Sequence, residues 1–299
     1  MPLYFERLFF YIGIKKKYSL EVRRMEGTEK TAIGKDKKLG TDNKILSLKS
    51  IVKYINYIAL PVIIVLAWNY VTKNEIFSSA ILPSISTVLL SFKTQLISGQ
   101  LIGDATISLK RVVEGYLISA VLGIFSGVIM GMNSKVDKFF FFVFSAIRQI
   151  PMLAWIPLIV LWFGIGELSK IIVIILASFF PILLNTVSGI KRTDKGLIEV
   201  GNMYNLSRWK KFRKIYFPSA LPSIFVGLKL GLGISWMAVV GAEIIAASSG
   251  IGYRMNDARS LMQPEVVFVG MIVIALIGLI MDFVLTKVSK KITPWENTK

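Results

Sequence analysis

An all-α membrane protein is predicted for this 299-residue chain by three observations: its apolarity, its division into long apolar runs, and the places where its basic residues fall. Hydrophobic residues make up 54% of the sequence and the mean hydropathy is +0.63. Six runs, near 51–71, 105–131, 138–163, 169–190, 218–245 and 265–288, approach or exceed the roughly 20 residues that cross a bilayer. Of the 36 Lys and Arg residues, 27 lie in 1–53, 132–138, 191–217 and 286–299, against five in 72–104, 164–170 and 246–264. Positive loops stay on the cytoplasmic side, so both termini are expected inside. The same reading accounts for the net charge of +18 without a nucleic-acid partner. With no Cys and no His, disulfides, Cys/His zinc sites and His-based acid–base catalysis are excluded, and no metal ligand set or catalytic residue is expected.

Residues 1–50 differ in composition from the rest. Tyr4–Ile14 is apolar but too short to span, and Lys15, Lys16 and Lys17 follow it. A secretory signal carries its positive charge before the apolar stretch, which argues against one here. Two readings stay open: a basic, disordered cytoplasmic extension drawn to anionic lipid, or translation starting at Met25. Residues 51–79 read as an accessory transmembrane helix and an external link, 80–290 as the core, and 291–299 as a cytoplasmic tail.

Within the core, Gly123, Gly127 and Gly131 recur every four residues in the second run, and Gly227 and Gly231 in the fifth. Small residues on one face let helix backbones approach closely in lipid, so a packed bundle is expected. The third run is interrupted at Ile150-Pro151, with Pro157 beyond. Proline removes a donor and clashes with the preceding turn, predicting a kink or break on the side of the bundle that can satisfy the freed groups.

Between the fourth and fifth runs, residues 191–217 are basic yet patterned. Leu197, Val200, Met203 and Tyr204 recur at helical spacing, with Glu199 and Asn202 on other faces. Asn205 suits a left-handed helix end, Ser207 an N-cap for a second helix bearing Trp209 and Phe212, and Pro218 the opening of the next span. Two short helices exposing aromatic side chains beside Arg208 and its basic neighbours fit a protein-docking knob or a helix lying on anionic lipid.

This loop resembles the EAA loop of the membrane permeases of ATP-binding-cassette importers. Glu199-Val200-Gly201, Asn205, Ile215 and Phe217-Pro218 stand at the spacing of that motif, with both alanines, the glycine and the leucine replaced. Val200 is bulkier than a tight helix contact prefers. Further stretches are similar to the branch importing aliphatic sulfonates, taurine and nitrate, with relatives importing thiamine-precursor pyrimidines or riboflavin. They include Trp162-Phe163-Gly164-Ile165-Gly166-Glu167, Phe180-Pro181-Ile182-Leu183-Leu184-Asn185, Gly241-Ala242-Glu243 and Ser248-Ser249-Gly250-Ile251-Gly252. The likeness covers about residues 80–290.

The resemblance implies a type I importer permease in a bacterial plasma membrane, with separate P-loop ATPase subunits, a second permease subunit and an external solute-binding protein. The chain has no G-x-x-x-x-G-K-[ST] phosphate loop, so ATP is expected on the partner and no cofactor on this chain. Glu199, Val200, Gly201, Asn205, Ser207, Arg208, Trp209, Phe212 and Pro218 would form the coupling surface. Among ionisable residues within the runs, Glu114 and Arg148 reach similar depths when counted at 1.5 Å per residue, and are expected to pair. Alternatively, Arg148 and Lys229 give a solute pathway a positive potential. Asp282 is expected to meet Lys287 or water, and Glu243 and Arg259 to lie near the outer face. A gradient-driven transporter would explain the runs but not the two-helix loop; an intramembrane enzyme would need clustered acids, His or Cys.

Overall fold

The computed structural model describes residues 59–295, and every described element is helical or a turn. Two compact units divide the chain, Met1–Leu66 and Ala67–Lys299; the helix Ala59–Lys73 begins in the first, and every element from Ile85 onward belongs to the second. The expected N-terminal extension, residues 51–58 of the first expected span and the last four residues lie outside the described part. What is described of that span is a shorter apolar helix, α1 (Ala59–Lys73). Then come α2 (Ile85–Ile97), α3 (Gln100–Met132), α4 (Ser134–Gln149), α5 (Met152–Phe163) and α6 (Glu167–Lys191). After α7 (Lys195–Met203), one helix, α8, runs from Arg208 to Ala246; α9 (Ile251–Ser260) and α10 (Pro264–Ile292) complete the series.

Four of these, α3, α6, α8 and α10, are long and apolar enough to cross a membrane, and they coincide with four of the predicted runs. The predicted third span is instead two helices, α4 and α5, meeting at 97° across Ile150-Pro151. Pro151 is the N-cap of α5, while Pro157, inside α5, leaves that helix intact. The break falls at Pro151 because a proline can only begin a helix cleanly where no N–H is required of it.

Helix α6 is the centre of the bundle, and its neighbours reach it through glycine. A methyl group placed on Gly115, Gly123, Gly127 or Gly131 of α3 would lie 2.6–2.9 Å from Ile174, Ile182, Thr186 or Ile190 of α6. From the other side, Gly227 and Gly231 of α8 meet Asn185 and Ile182, and Gly189 of α6 meets Ser223. The glycine spacing therefore marks two faces closing on one helix, with Ile174, Ile182, Leu183 and Ile190 buried between them. Elsewhere the polar ends of aromatic side chains fasten helices: Trp236 Nε1 donates to the Ile274 carbonyl of α10, and Tyr116 Oη to the Leu228 carbonyl, each at 3.0 Å. Large apolar side chains such as Val121, Phe125, Phe142 and Leu279 point outward, as expected of helices solvated by lipid.

Candidate functional site

Two regions at opposite ends of α6 concentrate polar chemistry. The first is the corner from Lys195 to Tyr216. Asp194 caps α7, accepting the Gly196 N–H at 2.7 Å. The helix ends as expected at Asn205, whose φ of +46° is left-handed. Ser207 caps α8, accepting the Lys210 N–H at 3.4 Å. Pro218 does not open a new helix. The chain passes from Arg208 into the span without a stop, through a π turn at Phe212–Tyr216 in which the Phe217 N–H bonds the Phe212 carbonyl. The wider turn accommodates a proline that would otherwise crowd the Lys214 carbonyl one turn back.

The tight contact in this corner is made by Gly201, not Val200. Gly201 is buried, and a Cβ on it would lie 2.6 Å from the tip of Ile215. Val200 is half exposed. The Leu206 N–H bonds the Gly201 carbonyl at 3.0 Å and Lys211 Nζ donates to Asn202 Oδ1, so the turn is locked onto the start of α8. Leu197, Met203 and Trp209 are left exposed; Trp209 packs against Phe212, ring centres 5.5 Å apart, and Phe212 against Phe217 at 5.7 Å.

The second region is a buried charge cluster at the other end of α6, and its centre, Arg111, is not singled out by sequence reasoning. Arg111 sits on α3 with a side chain only 3% exposed. Its Nε and Nη2 donate to the two carboxylate oxygens of Glu167, each at 2.7 Å. Nη1 donates to Glu243 Oε1 at 2.7 Å and to the Ser249 carbonyl at 2.8 Å, and Nη2 also reaches Ser249 Oγ at 3.0 Å. All five guanidinium donors are satisfied. Lys170, also buried, donates to Glu167 Oε1 at 3.0 Å.

Glu243, expected near the outer face of the membrane, is fully buried within the protein in this cluster. Besides Arg111 it accepts from Ser108 Oγ at 2.8 Å and from the Gly252 N–H at 2.9 Å, at the start of α9. A carboxylate there is stabilised by the unsatisfied amides and positive end of the helix. Gly250, at φ +107°, must be glycine: a Cβ would overlap the Glu243 carboxylate. The Ser249-Gly250-Ile251-Gly252 stretch is thus the backbone wrapping of Glu243. Beside it Asp104 accepts from Arg254 Nε at 2.9 Å and from the Gly250 N–H at 3.3 Å. Arg259 is exposed and donates to Asn256 Oδ1 at 3.0 Å, on its own helix.

The expected Glu114–Arg148 pair does not form. Glu114 lies 3.9 Å from Lys110, one turn back on its own helix. Arg148 stands near the end of α4 and lines a cavity of about 360 Å³ at the break, with Pro151, Trp155, Phe180, Pro181 and Leu184. Gly115, next to Glu114, faces Ile174, about two turns of α6 from Phe180. Counting depth through a straight third span misplaces Arg148 because the span is bent. Among the described residues Arg148 has no hydrogen bond or ion pair. Lys229 does not stand free: its Nζ is 3.1 Å from Asp282 Oδ1. Lys287, expected to serve Asp282, instead lies over the Phe283 ring at 4.4 Å.

A central helix clasped through glycines, with a broken helix pair beside it and a two-helix corner at one end, is the bundle of a multi-span membrane protein, and the comparisons place it among transport permeases. The family model described as "Binding-protein-dependent transport system inner membrane component" matches residues 119–294. The "Putative aliphatic sulfonates transport permease protein SsuC" of Bacillus subtilis (strain 168) is 36% identical over 239 residues, 80% of this chain and 87% of the relative. The "Taurine transport system permease protein TauC" of Escherichia coli (strain K12) is 33% identical over 240 residues, 78% and 86% of the two chains. Among solved structures, an amino acid ABC transporter crystallised with histidines shares the fold, at TM-score 0.55 and 17% identity over 68% of this chain and 96% of that one. The chain belongs to the binding-protein-dependent inner-membrane permeases of ABC importers. This is a family of transport permeases, not enzymes.

Proposed function

We propose that this chain forms the solute pathway of an importer whose ATP hydrolysis takes place on a separate P-loop ATPase, and that the Lys195–Tyr216 corner is the surface on which that ATPase acts. One observation carries the reading: Leu197, Met203 and Trp209 are exposed on a corner whose backbone is fixed by the Gly201–Ile215 contact and runs without interruption into the span. Exposed apolar anchors on a rigid element suit a protein partner, and a continuous helix transmits displacement of the corner to the bundle. The partners are two ATPase subunits, a second permease subunit and an external solute-binding protein, in a bacterial plasma membrane with both termini cytoplasmic. Purification of the tagged chain from its native membrane in mild detergent, followed by mass spectrometry, is expected to recover a P-loop ATPase. Met203→Asp combined with Trp209→Ala is expected to lose it while leaving the permease monodisperse. Recovery of an oligomer without ATPase, also after gentle crosslinking, points to a gradient-driven transporter instead.

For the substrate, the reading is an aliphatic sulfonate or a similar small anion. The relatives named for sulfonates and taurine support it, as does Arg148, which lines the break cavity and has no partner among the described residues. Lys229, the other cation expected in the pathway, is paired with Asp282 and adds less to its potential. Arg148→Gln is expected to assemble normally and lose anion uptake; failure to assemble would mean a packing role.

A further inference from the structure

The Arg111 cluster is asymmetric in a way that simple ion pairing does not require. Its two cations are buried, with side chains 3% and 5% exposed, yet the carboxylate they share, Glu167, is 60% exposed. Glu243 already serves Arg111 from the buried side. The outward edge of the guanidinium, Nε and Nη2, therefore points at Glu167, with Lys170 Nζ alongside and Ser249 Oγ bonded to the same Nη2. A planar two-donor edge with an ammonium beside it fits any small oxyanion. A cavity of about 370 Å³, lined by Lys110, Arg111, Glu167 and Ser249 among others, opens against this edge. Glu167 enters from a glycine-bracketed turn: Gly164 is at φ +77°, Gly166 is extended, and neither has a neighbour within 4 Å of where a Cβ would stand. Glu167 is the first residue of α6, whose next turn is buried at Ser169 and Lys170, so the carboxylate leaves the two cations by a change of its own side-chain torsions, which its 60% exposure allows.

We propose that Arg111, Lys170 and Ser249 form a subsite for a monovalent oxyanion head group, occupied in this conformation by the chain's own Glu167 carboxylate. Glu167 is a built-in stand-in for the ligand: together with Glu243 it balances the two buried cations when the cavity holds no solute, and a sulfonate entering the cavity takes the place of Glu167 on the same donors. The assignment of a sulfonate as that oxyanion rests on the substrate reading above. The geometry of the subsite does not.

The test is thermal unfolding of the purified full-length chain in detergent, titrated with sodium methanesulfonate, sodium acetate or sodium chloride at constant ionic strength. Glu167→Ala is expected to be stabilised saturably by methanesulfonate, at a concentration about tenfold below that needed by the unsubstituted chain, because the tethered carboxylate competes at an effective concentration on the order of millimolar or more. Adding Lys170→Gln is expected to remove the response. Should Glu167→Ala fail to fold, Glu167→Gln keeps the side-chain volume, and its neutral amide is also displaced more easily than the carboxylate. If neither variant responds to the oxyanions more strongly than the unsubstituted chain, or if chloride does as well, there is no subsite and Glu167 is only an ion-pair partner. Stabilisation by acetate but not methanesulfonate upholds the subsite and removes the sulfonate reading.

Discussion

Arg111 Nη1 lies 2.7 Å from Glu243 Oε1, a hydrogen bond across 132 positions of sequence that ties α3 to the end of α8. Both side chains are almost wholly buried, so removing Arg111 leaves Glu243 without an ion partner among the described residues. Arg111→Leu is expected to cost about 3–5 kcal/mol. Arg111→Lys should recover little, because an ammonium cannot reproduce the two-edged geometry. Thermal unfolding in detergent, read as loss of the monodisperse peak, checks both.

The glycine faces of α6 give a second expectation. Gly127→Leu must push α3 from Thr186 and the Leu183 carbonyl, with a cost of at least about 1–3 kcal/mol. Gly103→Leu, on the same helix, meets no atom within 4 Å at its Cβ and should be near neutral. Comparing the two by unfolding midpoint separates close approach from any general intolerance of leucine in α3.

At Gly201 the outcome should differ from that at Gly127. The atom in the way is the tip of a flexible isoleucine, and alanine gains about 1 kcal/mol of helix propensity over glycine. Gly201→Ala is therefore expected to shift stability by less than about 1 kcal/mol, with ATPase recovery unchanged. Gly201→Leu should displace Ile215 and lose the ATPase. A pull-down quantified against the unsubstituted chain decides it.

The Lys229–Asp282 pair joins α8 to α10, with both side chains about half exposed. In water such a pair contributes little, but an unpaired carboxylate near membrane depth costs up to about 3 kcal/mol. Lys229→Leu should lower the yield of folded protein, and adding Asp282→Leu should restore much of it. A double variant no better than the single would mean that the two charges are not coupled.

Much of this architecture was legible because it is local. Four apolar runs became four spanning helices, since hydrophobic length and internal backbone bonding leave a lipid-embedded chain few alternatives. The break at Pro151, the left-handed Asn205 and the cap at Ser207 follow from the chemistry of single residues and their neighbours. The glycine periodicity told of close packing but not of its partner: that α3 and α8 both close on α6 is a property of the assembled bundle.

The ion pairs could not be read from the sequence, for a physical reason. Depth counted along a helix places a charge only if the helix is straight, and the α4–α5 bend put Arg148 at a different level of α6 from Glu114. Glu243 stands near the end of a run, and nothing in that position foretold the wrapping by Gly250 and Gly252 that buries it beside Ser108 and Arg111. Sequence by itself determined which segments are helical, where they break, and which small residues allow close contact. Tertiary structure alone decided which acids meet Arg111, because Glu167 and Glu243 stand 56 and 132 positions away and are brought to it only when α3, α6 and α8 pack.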